Sequence, residues 1–167
     1  MGASGRQPAT REREGVAEAL ASVWPSIGTD AIRGLSQLAT IAEPGHDALL
    51  MLEGEPTPYL AIVLEGRVAI RTRVAGRETL TILTVEPGDI VGWSAVVSPF
   101  RSTSTARAVG PVRLLEFEAG DLRALLLQEP AVAAEVYPLV LQAVARRLAG
   151  TRLQLLDLFD QRWAEPW

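Results

Sequence analysis

The sequence predicts a mainly β domain with flanking helices, on three observations. Between Ala42 and Glu118 the chain breaks into short runs rich in branched residues, divided by Gly- and Pro-containing turns. That is the grammar of an all-β sandwich or barrel. On either side of this block, apolar residues recur three to four apart, as on one face of a helix. The 167 residues are 48% hydrophobic, enough for one core and too many for a disordered chain, in a length that fits one domain.

Residues 1–14 are polar, contain Gly and Pro and show no period, so a flexible tail is expected there, with the domain filling 15–160. Val16, Leu20, Val23 and Trp24 then share one helical face, and Pro25 interrupts the pattern. A second short helix is expected from Thr29, an N-cap by type, through Ile32, Leu35 and Leu38, giving helices over 16–40. The β block covers 43–118. Its runs are Leu49–Leu52, Tyr59–Leu64, Arg67–Val74, Glu78–Val85, Ile90–Val91, Ser102–Ala108 and Val112–Phe117. Gly54, Gly66 and Gly88 stand at the reversals between runs, where positive φ is cheapest for glycine. Along Thr79–Val85, threonines alternate with Leu80, Ile82 and Val85 in a broken period of two, so one side of that strand is expected to be buried.

Gly120-Asp121 is expected to cap a short helix over 120–128 holding Leu122, Leu125 and Leu126. Glu129-Pro130 ends it, because the residue before proline is pushed out of the helical region. The longest helix follows over 131–160, with Val136, Val140, Val144, Leu148, Leu155, Leu156 and Phe159 among its apolar positions. Pro138 either kinks it or marks its effective start. Residues 161–167 read as a tail whose Trp163 and Trp167 either pack back on the domain or form a short docking peptide.

A net charge of −4 and a pI of about 5.1 argue against general attraction to nucleic acid. All 16 basic residues are arginine. The absence of cysteine excludes disulfides and thiolate metal sites. No apolar stretch is long enough to span a membrane or to serve as a signal-peptide core, so the expected location is cytoplasmic. The single His46 cannot supply the several imidazoles of a metal-dependent cupin enzyme, and Pro44-Gly45-His46-Asp47 looks like a surface turn. There is no G-x-S-x-G elbow and no phosphate-binding P-loop. Glu116 and Glu118 alternate along a strand and read as a solvated face rather than an acid–base pair. The expectation is no catalytic residue, no metal ligand and no enzyme.

Several segments, taken in order, resemble the cyclic-nucleotide-binding domain of bacterial regulators in the catabolite activator and fumarate–nitrate regulator family. They are Glu53-Gly54-Glu55, Leu60-Ala61-Ile62-Val63-Leu64-Glu65-Gly66-Arg67-Val68, Pro87-Gly88-Asp89-Ile90-Val91-Gly92, Thr105-Ala106-Arg107-Ala108 and Ala145-Arg146-Arg147-Leu148. The resemblance covers roughly residues 30 to 160 and implies a jelly-roll-like β-roll followed by a long dimerisation helix. It also implies a phosphate-binding cassette over Gly92 to Thr103, where backbone N–H groups and one arginine hold the cyclic phosphate and a glutamate holds the ribose. A short helix start suits an anion because its N–H groups are unpaired.

Two departures matter. Trp93 stands where the family's glutamate follows Gly92, and Ser102 stands where its arginine is expected, with Arg101 one residue earlier. On a strand that shift sends the side chain to the other face, although a shorter cassette or a bulge would restore it. Trp93 either stacks on a planar ligand or fills the sugar pocket and closes it. Arg101 is either an anion contact or a solvated, structural residue. Ser94, Ser102 and Thr103 add candidate hydroxyl donors beside Gly92 and Ala95. By resemblance, Thr151 and Arg152 on the long helix fall where the ligand base is reached. Arg152 either contacts the ligand or faces solvent. Cyclic AMP or another cyclic nucleotide is the candidate ligand, and the departures argue against ordinary cyclic AMP binding.

Val140, Val144, Leu148, Leu155 and Leu158 form an apolar stripe longer than a small β-roll can cover. It is closed either by a twofold partner helix, as the resemblance implies, or by its own domain. Only residues 161–167 follow the long helix, too few for a recognition helix, so direct DNA contact is not expected and a protein partner is. The function expected is a ligand-sensing module for a small anion that signals through a dimer helix. The alternative is a ligand-free dimeric scaffold of the same fold.

Overall fold

The computed structural model describes residues 10–73 and 79–163, with 10–14 and 153–163 described by their backbone alone. Two helices come first, α1 (Thr10–Val23) and α2 (Thr29–Leu38). Eight strands follow: β1 (Thr40–Ala42), β2 (Leu49–Met51), β3 (Tyr59–Glu65), β4 (Val68–Thr72), β5 (Leu80–Val85), β6 (Ile90–Val91), β7 (Thr105–Ala108) and β8 (Arg113–Glu118). The short helix α3 (Ala119–Gln128) and the long helix α4 (Pro130–Trp163) close the chain. The strands form two antiparallel four-stranded sheets, ordered β1-β8-β3-β6 and β2-β7-β4-β5. This is the β-roll with flanking helices that the sequence predicts.

Strand β3 explains how two sheets and four helices share one small domain. Its Leu60 and Ile62 pack against the helices with Leu20, Leu35, Leu122, Val136 and Val140, while Ala61 and Val63 face the roll interior with Val68, Ile70 and Leu114. Both faces are covered, so the strand reads as an unbroken apolar run rather than an alternation. In β5 the alternation is broken for another reason. Its pairing with β4 slips between Ile70 and Arg71, and beyond that irregularity Leu80 points outward.

Several element ends differ from the sequence expectations, and those of the helices and the first strand have local reasons. Residues 10–14, expected within a flexible tail, are the first turn of α1, because Arg11, Glu12, Arg13 and Glu14 are good helix formers even without an apolar period. Thr29 is the first residue of α2, and Gly28 is its N-cap. Thr40–Ala42, expected at the end of a helix, is a strand held by β8 through Thr40–Glu116 pairing. The cap of α3 is Glu118, whose Oε2 accepts the Asp121 N–H at 2.8 Å, rather than Gly120-Asp121. Helix α4 starts at Pro130, where a missing N–H costs nothing, and continues through the solvent-facing Pro138 to Trp163. The end of α3 is as expected: Glu129 leaves the helical region at φ −120° and ψ 79°. Trp167 lies outside the described residues, as does the side chain of Trp163.

Candidate functional site

The cassette begins at Gly92, which turns the chain in the left-handed region at φ 76° and ψ 33°. A Cβ added there would collide with Met51 Cε and the Tyr59 carbonyl oxygen, so the position needs glycine for space as well as for φ. Trp93–Ala95 then form a single turn of 3-10 helix, in which the Ala95 N–H donates to the Gly92 carbonyl at 2.9 Å. The return limb is tied to the turn before β3. Ser102 N–H donates to the Glu55 carbonyl at 2.9 Å, and Gly54 N–H donates to the Ser102 carbonyl at 2.8 Å. Arg123 of α3 clamps the middle: its Nη1 donates to the Ala95 carbonyl at 2.8 Å, and its guanidinium lies 4.8 Å from the Phe100 ring centre.

Between this cassette and the roll lies a void of about 20 Å³, room for roughly one water. Gly92, Trp93, Ser94, Ser102, Thr103 and Ser104 wall it from the cassette, and Met51, Ile70, Val91 and Ala106 form its apolar floor. The remaining wall is Arg147 of α4. Among the described residues, no carboxylate borders this void. Trp93 is half-buried and packs against the helix-side core as it lines the void. The buried Ser102 hydroxyl is already engaged, 2.9 Å from Thr57 Oγ1.

Five expected site residues are therefore together: Gly92, Trp93, Ser94, Ser102 and Thr103. Four are elsewhere. Ala95 is fully buried behind the cassette turn. Arg101 is exposed and does not reach the void. No bulge turns it inward, because residue 101 bridges Pro56 and its Nη1 donates to the Gly54 carbonyl at 2.8 Å. Thr151 bonds back along its own helix, Oγ1 to the Arg147 carbonyl at 2.9 Å, and Arg152 is exposed.

Arg147 is the site residue that the sequence reading missed. Val136, Val140, Ala143 and Arg147 succeed one another at three- and four-residue steps, so a charge stands on the core-facing side of α4. That misplacement was legible. Arg147 also borders a second, larger groove of about 190 Å³ between β5 and α4, walled by Leu83, Val85, Ile90 and Ala143. Burial pulls its guanidinium below the ordinary arginine value, and the Asp89 carboxylate works the other way. Its hydrogen bond to the Ile90 carbonyl is long, 3.4 Å, and the Asp89 Oδ1 is 3.2 Å from Arg146.

Glu116 is half-buried rather than solvated. It pairs opposite Ala61 and so faces the roll interior beside Tyr59. Burial pushes its carboxyl above the usual range, partly offset by the Tyr59 hydroxyl. The Tyr59 hydroxyl is itself pushed up, first by burial and then by the neighbouring charge. Glu118 moves oppositely, held down by the N–H groups of the helix it caps. His46 lies in an exposed turn with Nδ1 3.1 Å from the Val109 carbonyl oxygen.

The stripe on α4 also divides. Val140 is 1% exposed and belongs to the core of its own domain, which corrects its assignment to a dimer face. Leu148 is 64% exposed and Val144 is half-buried. Leu155 and Leu158 have side chains outside the described residues. Tyr137 and Leu141, which the sequence stripe did not include, are exposed on the same helix. No helix among the described residues is long and apolar enough to cross a membrane.

A β-roll whose cassette faces a long C-terminal helix defines a class of ligand-binding regulatory domains. The family model described as the cyclic nucleotide-binding domain matches residues 45–129, half of the chain, and the chain belongs to that family. It is 32% identical over 143 residues to a CRP-like cAMP-activated global transcriptional regulator of Mycobacterium tuberculosis (strain CDC 1551 / Oshkosh). The match covers 84% of this chain and 61% of that protein's length. Among solved structures, a cyclic nucleotide-binding domain from Methylobacillus flagellatus shares the fold with a TM-score of 0.75 at 21% identity, covering 91% of this chain and 86% of the other. The N-terminal domain of a transcriptional regulator from Streptomyces coelicolor A3(2) matches at a TM-score of 0.60 and 25% identity, covering 83% of this chain and 94% of the other.

Proposed function

We propose that this chain is a cytoplasmic, non-catalytic ligand-sensing module that binds a small anionic ligand, with cyclic nucleotides as the candidates. The ligand changes the position of α4, and α4 signals through a homodimer to a protein partner without itself contacting DNA. The observation that carries this reading is the cassette void. Among the described residues, it is lined by hydroxyl-bearing side chains and one guanidinium, with no carboxylate, inside a cyclic nucleotide-binding fold. Such a wall suits an anion. The overall charge of −4 weighs against binding nucleic acid. On α4, Tyr137, Leu141 and Leu148 leave apolar surface that a second copy would cover, with Leu155 and Leu158 as its expected continuation.

The second reading is a ligand-free dimeric scaffold. The small void favours it, since about 20 Å³ does not admit a nucleotide and Trp93 occupies the place where the family's glutamate stands. Calorimetric titration with cyclic AMP, cyclic GMP and the cyclic dinucleotides separates the two. Saturable binding of any of them supports the sensor, and no heat from all of them, with unchanged melting temperatures, supports the scaffold.

A further inference from the structure

We propose that Arg147, on the long helix α4, holds the anionic group of the ligand in place of a cassette arginine. This rests on the ligand-sensing reading above and deepens it. Among the described residues, Arg147 is the one cation that borders the cassette void, while Arg101 is spent on the Gly54 carbonyl at 2.8 Å on the outer surface. Ser94, Thr103 and Ser104 line the same void, so an anion in it meets hydroxyl-bearing residues as well as the guanidinium.

Among the described residues, Arg147 has one side-chain hydrogen bond. A guanidinium has five N–H donors, and a partly buried one is ordinarily matched by carboxylate or by several carbonyls. Here its hydrogen bond is to the Ile90 carbonyl at a long 3.4 Å, and the Asp89 carboxylate is 3.2 Å from Arg146. Trp93 offers no carboxylate from the cassette. A half-buried cation whose described side-chain hydrogen bond is this long can exchange it for an anion.

The surrounding space fits the same reading. Arg147 is the shared wall between the 20 Å³ void and the 190 Å³ groove along β5. A guanidinium drawn onto an anion joins the two spaces, so the anionic head sits at the cassette and an apolar or planar body lies against Leu83, Val85 and Ile90. The ligand class is therefore a small anion or phosphate ester with an apolar portion. Because its charge partner stands on α4, binding acts on that helix directly.

The test is calorimetric titration of the full chain with inorganic phosphate, cyclic AMP and cyclic GMP, in the wild type, Arg147→Gln, Arg147→Lys and Arg101→Ala. The expected result is that Arg147→Gln weakens the bound probe about tenfold or more, the scale of one charged hydrogen bond. Arg147→Lys should lose less, and Arg101→Ala should bind as the wild type does. Loss in Arg101→Ala with normal binding by Arg147→Gln overturns the assignment and leaves the sensor standing. No binding of any probe by the wild type overturns the sensor and the assignment together. If Arg147→Gln does not fold, the wild type decides: the side-chain Nε–Hε resonance of Arg147, identified by its disappearance in Arg147→Lys, must move on titration. A resonance that stays still while the probe binds overturns the proposal.

Discussion

Gly92 sits where a left-handed φ of 76° coincides with close approach to Met51 and the Tyr59 carbonyl, so a side chain there meets both backbone strain and a steric clash. Gly92→Ala should lower stability by about 1–3 kcal/mol in urea denaturation, and a loss below a few tenths would show that the cassette relaxes freely. Two carboxylates on β8 titrate with opposite consequences. The Glu116 carboxyl is raised in the folded state, so its protonated form is the one favoured by folding. Its contribution is present below the unfolded carboxylate value and is lost as pH rises through the higher folded value. Glu116→Gln should therefore raise the melting temperature near pH 7 and leave it unchanged near pH 3. Glu118 is lowered instead, so its stabilisation is present above the unfolded value and is lost as pH falls through the folded one. Being exposed, it is worth at most about 1 kcal/mol as a cap, and Glu118→Ala should show that loss at pH 7 but not near pH 3.

At the scale of elements, α4 has two kinds of work to do. Its inner side anchors the domain: Val136 and Val140 enter the helix-side core, and Glu135 accepts the Gly28 N–H at the start of α2. That carboxylate serves as a long-range cap, 107 residues away in sequence, for a helix whose own N-cap residue has no side chain. Glu135→Ala should cost about 1 kcal/mol and increase amide exchange in the first turn of α2, and unchanged exchange there would argue that water replaces the carboxylate. The outer side carries Leu141 and Leu148, at 66% and 64% exposure. If a second copy covers them, Leu141→Glu with Leu148→Glu should yield a monomer in sedimentation velocity while the thermal unfolding of the domain survives. A double variant that still sediments as the wild type does would place the association elsewhere.

For the whole molecule, ligand binding and stability are linked by mass action. A ligand at one hundred times its dissociation constant adds about 2.7 kcal/mol to the folded state, which makes thermal shift a sensitive screen for the candidate anions. The match to the Mycobacterium tuberculosis regulator spans 61% of that protein, and the family model covers residues 45–129 of this chain. In the proposed sensor, the question at this scale is how α4 is coupled to the cassette. Arg147 of α4 lines the cassette void, Arg146 of α4 pairs with Asp89 just before β6, and Arg123 of α3 holds the cassette turn.

The order of elements and the two-period and four-period patterns were legible in the sequence because each is local. Glycines mark the reversals at Gly54, Gly66, Gly88 and Gly92, all with positive φ, and Pro130 marks the break between α3 and α4. The departures at Trp93 and Ser102 were equally legible as residue identities. What tertiary structure alone decided is where side chains from distant segments meet. Local pattern could not tell that Arg101 turns to a carbonyl 47 residues earlier, that Glu116 is drawn half into the roll by its register with Ala61, or that Val140 serves its own core. Arg147 lies between these cases. Its place on the inner side of α4 follows from helical spacing, but its meeting with the cassette follows only from how α4 packs across β6, because a side chain's partners are set by three-dimensional packing rather than by sequence period.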